Sequence, residues 1–182
     1  MFGRGRDMIQ RIARIIALLL LTITVTGCAL LPEDSEWIDE FLETEEIPIK
    51  QLVNTDNFRE GALGHILEGE INRQGEAVGF HYEGLSTAKG KVVEGTRTDP
   101  DTNGVYEAEV EIDGIKKSGN KGISTFFPLY WSTQEVIDGI NEAYETKQFI
   151  SGNTYEGLTE EGIVIRMYLD EEEKIISAFP IY

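Results

Sequence analysis

The sequence predicts an α+β domain in which short antiparallel strands pack with one or two helices. Two observations support this class: segments with strand-like alternation lie on both sides of a well-marked helix, and the chain has no internal repeat. The 182 residues leave room for one domain of common size, and a hydrophobic content of 41% supplies a core.

The first half of the domain predicts one helix followed by strands. A short helix is predicted in FREGALGHILEGE, residues 58–70, directly after the polar segment NTDN, residues 54–57. KVVEGTR (91–97) and GVYEAEVEID (104–113) alternate like strands and overlap the turn-rich loop TRTDPDTNG (96–104) that joins them. Asp113-Gly114 then predicts a hairpin leading into IKKSG, residues 115–119.

The second half predicts a central helix and a final run of strands. Ser132 with Glu135 three residues later forms a capping box, and Val136, Ile137, Ile140 and Ala143 give one apolar face. Gly152 and Asn153 fall in the following loop. Residues 155–182 then predict two to three antiparallel strands with turns at EEG (160–162) and DEEE (170–173).

The N-terminus carries a targeting pattern. Four arginines precede the apolar run IIALLLLTITV, which is shorter than the ~20 residues of a membrane span. The run ends in Val25-Thr26-Gly27-Cys28, which resembles a bacterial lipobox, and this is the chain's one cysteine. We predict a lipoprotein signal peptide over 1–27, lipidation of Cys28 and an extracytoplasmic, membrane-anchored or secreted protein; an ordinary anchor helix with an incidental cysteine is the alternative. A lone cysteine leaves no internal disulfide.

Residues 28–57 are interpreted as an acidic tether, although Trp37, Ile38, Phe41 and Leu42 recur at helical spacing. The domain proper is predicted over 58–182. Acidity extends throughout the chain, because 33 acidic residues against 16 basic ones give a formal net charge of −17. Such a charge opposes nonspecific nucleic-acid binding, which depends on Lys and Arg neutralising phosphates.

The chain has only two histidines, His65 and His81, sixteen residues apart. Histidine titrates near neutral pH, so two imidazoles suit the acid and base roles of one reaction. Their surroundings, HILEGEINRQGEAVGFHYEG, together with STFFPLYWS and KIISAFP, resemble the bacterial EndoU nuclease family. The resemblance covers residues 58–182 and is to the toxin domains of polymorphic secreted toxins.

The resemblance implies a compact EndoU-like or barnase-like nuclease fold, with an antiparallel sheet and N-terminal and central helices. It also implies a metal-independent endoribonuclease, without cofactor, that cleaves RNA through its own 2′-OH and leaves a 2′,3′-cyclic phosphate. His65 and His81 are then the catalytic pair, with the base and the acid unassigned. Two histidines and one cysteine also offer no metal site of His and Cys ligands.

The remaining site residues follow from the same resemblance. The family uses a lysine, for which Lys89, Lys91, Lys117 and Lys121 are candidates, with Lys121 preferred because it precedes GISTFFP; Lys89 is also a candidate for substrate binding. Ser177, in SAFP, is expected to join the catalytic group by bonding the phosphate or the edge of a base. Phe179 is expected either to stack on a base or to pack in the core, although better-studied relatives have Tyr at its position. Gly79, Ser124 and Thr125 are expected to line the same cleft, whereas Phe126, Phe127 and Trp131 are expected in the core.

Two other interpretations remain open. The first is a catalytically degenerate surface module that binds a partner, and the second is an unrelated envelope lipoprotein. As an enzyme, the chain is expected to act as a monomer on RNA, to associate with the membrane through Cys28, and to have a cognate immunity protein if its activity harms the producer. The sequence leaves the RNA target and the base preference undetermined.

Overall fold

The computed structural model describes residues 46–182, so the predicted signal peptide, Cys28 and the segment around Trp37 lie outside the described residues. Within this part there are two α-helices, ten strands and two short 3-10 helices, in the following order. They are a 3-10 turn at Ile49–Gln51, α1 (Ala62–Leu67), β1 (Glu70–Ile71), β2 (Ala77–Val78), β3 (Gly90–Val92), β4 (Tyr106–Ile112), β5 (Ile115–Lys116), a 3-10 turn at Gly119–Gly122, β6 (Ile123–Phe126), α2 (Thr133–Glu145), β7 (Gln148–Ser151), β8 (Thr154–Leu158), β9 (Val164–Leu169) and β10 (Ile175–Pro180). No helix among these residues has the length and apolarity needed to cross a membrane.

The second half of the domain is an antiparallel meander with strand order β10-β9-β8-β7. The turns predicted at 160–162 and 170–173 are confirmed, because they connect β8 to β9 and β9 to β10. Strand β7 was not predicted from the sequence, since QFIS directly follows the helix and all four of its residues are exposed. This sheet therefore has one more strand than the sequence indicated.

Strand β4 organises the other sheet by pairing with three partners. Its second half pairs with β3 on one edge, while β5 and β6 pair successively along it. The predicted hairpin at Asp113-Gly114 is confirmed, with φ of 50° and 78°, which is the left-handed conformation that such turns need. Between β5 and β6 the chain leaves β4 and bulges outward over residues 117–122.

Helix α2 packs on one face of the C-terminal sheet, and its predicted capping box is confirmed: the Ser132 hydroxyl accepts from the Glu135 N–H, while the Glu135 carboxylate accepts from the Ser132 N–H. The predicted apolar face is fully buried. Gly157 lets the helix lie close, because a Cβ there would be 1.9 Å from the Ala143 carbonyl oxygen. The α+β class with antiparallel sheets is thus confirmed.

The core has two clusters. The larger one joins α1, α2 and the C-terminal sheet and includes Phe127 and Trp131, whereas the smaller one lies against β4 and includes Phe80, Tyr106 and Phe126. The aromatic residues of STFFPLYW that were expected in the core are therefore buried there.

Residues 46–57, which the sequence assigned to the tether, pack on the domain. Leu52 is buried in the larger cluster, the Val53 N–H donates to Gln134, and the Glu46 carboxylate accepts from the Ser86 hydroxyl. The compact unit thus begins before Phe58, because this acidic segment also carries the apolar residues Ile47, Ile49 and Leu52 that contact the core.

Candidate active site

Backbone contact brings the two histidines together. His65 lies on α1, the β1–β2 hairpin follows, and the returning chain donates from the Phe80 N–H to the His65 carbonyl (3.0 Å) and from the His81 N–H to the Ile66 carbonyl (2.8 Å). Gly79 makes this approach possible, since its φ is +76° and a Cβ there would lie 2.0 Å from the His65 carbonyl oxygen. The glycine of G-F-H is therefore required for the close approach of the two segments that carry the histidines.

His81 is buried and held in one tautomer. Its Nδ1 lies 2.8 Å from the Thr125 carbonyl oxygen, which can only accept, so Nδ1 carries the hydrogen and a neutral ring has its lone pair on Nε2. Burial, followed by the positive charge of Lys117 and then His65, holds the pKa of His81 well below 6.5, although the Thr125 hydrogen bond acts in the opposite direction. At neutral pH this imidazole is uncharged and can accept a proton.

His65 has a different environment. Its ring is 19% exposed, and its Nδ1 lies 3.0 Å from Oε1 of Glu70 on β1. A carboxylate that accepts from Nδ1 fixes the ring orientation and leaves Nε2 for other contacts. The two histidines therefore have unlike partners: a neutral carbonyl for His81 and a carboxylate for His65.

A lysine from the bulge between β5 and β6 completes the group. The Lys117 ammonium donates to the Ser124 hydroxyl (2.8 Å) and to the Gly79 carbonyl (3.4 Å), while the Ser124 hydroxyl donates to the same carbonyl at 3.2 Å. Burial lowers the pKa of Lys117 to about 8. The ammonium thus lies beside the segment that leads to His81, and it still carries a positive charge at neutral pH.

Strand β10 forms the opposite wall. The Phe179 ring stacks on His81 with centroids 5.0 Å apart and planes 19° apart, and Ser177 is buried two residues earlier on the same strand. Tyr168 on β9 lies beyond, with its ring centroid 6.1 Å from that of Phe179. The ring of Phe179 therefore lies between the rings of His81 and Tyr168.

These residues enclose a cleft of about 670 Å³, a size typical of sites for small ligands or nucleotides. His65, His81, Lys117 and Arg166 line it, and Glu107 is the one acidic side chain among the described residues that do so. The cleft thus concentrates positive or protonatable groups within an acidic protein, and a cleft lined in this way focuses the local electrostatic field on an anionic ligand.

The structure places some of the predicted site residues at the cleft and others away from it. Gly79, Thr125, Ser177 and Phe179 line the cleft with both histidines. Ser124 does not: it is 1% exposed and contacts Lys117 rather than the cleft. This corrects its expected place, because alternation along β6 directs Ser124 and Thr125 to opposite faces.

The preferred lysine also requires correction. Lys121 and Lys89 are exposed and outside the cleft, whereas Lys117, an alternative candidate, lines it. The reason is the bulge, in which Asn120 and Lys121 both have positive φ, 49° and 56°, and turn the chain back toward β6. Nearness to STFFP in the sequence therefore did not identify the lysine that lines the cleft.

Two groups were missed from the sequence: Glu70, which contacts His65, and Arg166, which lines the cleft. By spacing alone, Glu68 and Glu70 in HILEGE are equal candidates for the partner of His65. In the structure the Glu68 carboxylate accepts from the Thr87 hydroxyl, whereas the Glu70 carboxylate contacts His65. Arg166 is one of three basic residues in the last forty and carries no motif. Among residues 46–182 no group of three or more His, Cys, Asp or Glu side chains is arranged to hold a metal ion.

Comparison with known proteins identifies the family of the chain. The profile of the family described as Bacterial EndoU nuclease matches residues 59–182. A curated Bacillus cereus protein named "Toxin" is 50% identical over 139 residues, which cover 76% of this chain but only 25% of that protein, so the chain spans about a quarter of the relative's length. No solved structure matches. On this match, the chain belongs to the bacterial EndoU nuclease family.

Proposed function

We propose that this nuclease cleaves RNA by a metal-independent transesterification. The ribose 2′-OH attacks the adjacent phosphorus, the bond to the 5′-oxygen breaks, and the products carry a 2′,3′-cyclic phosphate and a 5′-hydroxyl. The observation that carries the proposal is the convergence of a neutral imidazole, a carboxylate-paired imidazole and an ammonium on one cleft. These groups match the base, the acid and the cation that the reaction needs.

His81 is the general base in this proposal. A base must be unprotonated at the start, and the depressed pKa of His81 together with its Nδ1–H tautomer leaves the Nε2 lone pair to take the 2′-OH proton. His65 is then the acid that protonates the departing 5′-oxygen, because the Glu70 carboxylate compensates the charge of its protonated ring.

Lys117 stabilises the negative charge that develops on the phosphoryl oxygens. Two of its three N–H bonds are directed by Ser124 and Gly79, so the third is left for the phosphate. Donors fixed in this way are typically worth about 10²–10³ in rate. Phe179 supports the substrate base by stacking, and the Ser177 hydroxyl supplies a hydrogen bond to its edge or to the phosphate.

The relative and the N-terminus support a proposal for the biological role. We propose a toxin-like effector, supported by the resemblance to a protein named "Toxin", with an immunity protein as its partner in the producing cell. The lipobox pattern supports export and acylation of Cys28, and two or more acyl chains anchor a protein stably.

The test is RNA cleavage by the full-length chain in EDTA, with identification of the product ends. His65→Ala, His81→Ala and Lys117→Met are each expected to remove most activity, whereas Lys116→Met, which changes the exposed neighbouring lysine, is the matched control. Binding of RNA without cleavage at high enzyme concentration across several pH values would replace the proposal by the degenerate binding module, for which the Phe at position 179 is the supporting observation.

A further inference from the structure

The cleft continues beyond the histidine pair along the outer face of the C-terminal sheet. On β10 and β9, Ser177 pairs with Tyr168 and Phe179 pairs with Arg166. Cross-strand partners project from the same face of a sheet, and all four of these residues line the cleft. Tyr168 and Arg166 therefore form a second row, one strand farther from His81 than Ser177 and Phe179.

Arg166 is the only cation of this second row. Its Nε and Nη2 donate to a single oxygen of Glu156 on β8, at 2.9 and 2.5 Å, and the side chain is 38% exposed. A guanidinium has five N–H donors, so the Nη1 donors have no partner among residues 46–182. The carboxylate thus occupies two of the five donors and leaves the Nη1 donors for a ligand.

Tyr168 and Asn153 add an aromatic ring and a side-chain amide beside Arg166. Tyr168 presents an aromatic ring next to the Phe179 ring, which lies against His81. The Asn153 amide nitrogen donates to the Leu169 carbonyl, which fixes the side chain at the edge of the cleft. An arginine for a phosphate beside an aromatic ring for a base is the usual means of holding single-stranded RNA.

We propose that Arg166 and Tyr168 form a second nucleotide subsite, in which Arg166 binds the phosphate next to the scissile one and Tyr168 stacks on the attached base. This inference rests on the proposed function, because it takes RNA as the substrate. It also accounts for how an acidic domain holds RNA: contacts are made by a few cations placed in series, Lys117 at the scissile phosphate and Arg166 at its neighbour.

The test measures binding of non-cleavable oligonucleotides to the full-length chain. A dinucleotide with a 2′-deoxyribose at the scissile position has one phosphate, whereas trinucleotides extended on the 5′ or the 3′ side have two. Arg166→Gln is expected to weaken binding of at least one trinucleotide about tenfold and to leave the dinucleotide unchanged. The dependence of log Kd on log salt for that trinucleotide should fall by about 0.7, the value for one phosphate of a single strand.

Arg97→Gln is the matched control. Arg97 also pairs with a glutamate, Glu83 at 2.7 Å, and has nearly the same exposure, 41%, but it does not line the cleft. The Arg97→Gln substitution removes the same charge from the same domain as Arg166→Gln. Equal losses in the two variants would mean that only net charge matters, and would overturn the subsite.

Glu156→Gln distinguishes binding from structural support. If Arg166 binds phosphate, removal of the competing carboxylate should tighten trinucleotide binding; if the ion pair merely stabilises the sheet, both variants should weaken it, and that result would overturn the proposal. The proposed function fails separately, if the wild type binds the oligonucleotides but leaves cleavable RNA intact.

Discussion

Substitution of Lys117 by methionine should stabilise the protein while it removes activity. Lys117 keeps its charge at neutral pH in a mostly buried position, where its ammonium has two hydrogen-bond partners among residues 46–182, the Ser124 hydroxyl and the Gly79 carbonyl. Methionine has a similar length and no charge to desolvate, so the variant separates the energetic cost of the ammonium from its packing.

The size of the expected stability change follows from the pKa of Lys117. A folded-state value of about 8 against 10.5 for an ordinary lysine means that, below pH 8, folding disfavours the charged form by about 3 kcal/mol. Between pH 8 and 10.5 the folded protein has lost this proton and the unfolded chain still binds it, so stability rises with pH. By pH 9.5 the remaining cost is about 1 kcal/mol.

The assay is urea denaturation of the wild type and Lys117→Met at pH 7 and pH 9.5, with the difference between the two proteins compared. Loss of the hydrogen bond to Ser124 costs about 1 kcal/mol at either pH, so methionine should stabilise by about 2 kcal/mol at pH 7 and by close to zero at pH 9.5. Lys116→Met, at the exposed neighbouring residue, should show no such dependence. A stability difference between Lys117→Met and the wild type that is equal at both pH values would refute the buried-charge reasoning.

Three further predictions address other links between structure and function. Gly79→Ala should destabilise the domain by about 3 kcal/mol, from a positive φ and a displaced His65 carbonyl, and a normal denaturation midpoint would contradict the close approach. In an NMR titration the His81 imidazole should titrate below pH 6.5, and Lys117→Met should raise its pKa because a neighbouring positive charge is removed; an unchanged midpoint would count against their electrostatic contact. Cys28→Ser should move the protein from the membrane fraction to the medium, and unchanged partitioning would contradict the lipobox interpretation.

The active-site geometry also explains why the histidine pair depends on glycine and on burial. Gly79 allows the returning chain to hydrogen-bond to α1, and the Thr125 carbonyl holds the buried His81 ring in its Nδ1–H tautomer. Both constraints involve backbone atoms, so variants that keep both histidines can still lose the site.

Local patterns in the sequence were sufficient for much of the fold. The capping box at Ser132, the hairpin at Asp113-Gly114 and the alternation of β4 depend on neighbours within a few residues, and each is present in the structure. The short β1–β2 hairpin and the exposed strand β7 were missed, because two-residue strands and strands without a buried face leave no periodic signal.

The sequence by itself determined the class of the domain, its resemblance to a nuclease family and the two histidines on which its chemistry is proposed to depend. The tertiary structure decided which side chains join them at the cleft: Lys117 rather than Lys121 lines it, Glu70 rather than Glu68 contacts His65, and Arg166, which carries no motif, lines the cleft farther along. The physical reason is that residue identity and spacing encode local conformation, whereas contacts across the cleft depend on a bulge with positive φ and on the register between β9 and β10, which residues distant in sequence set together.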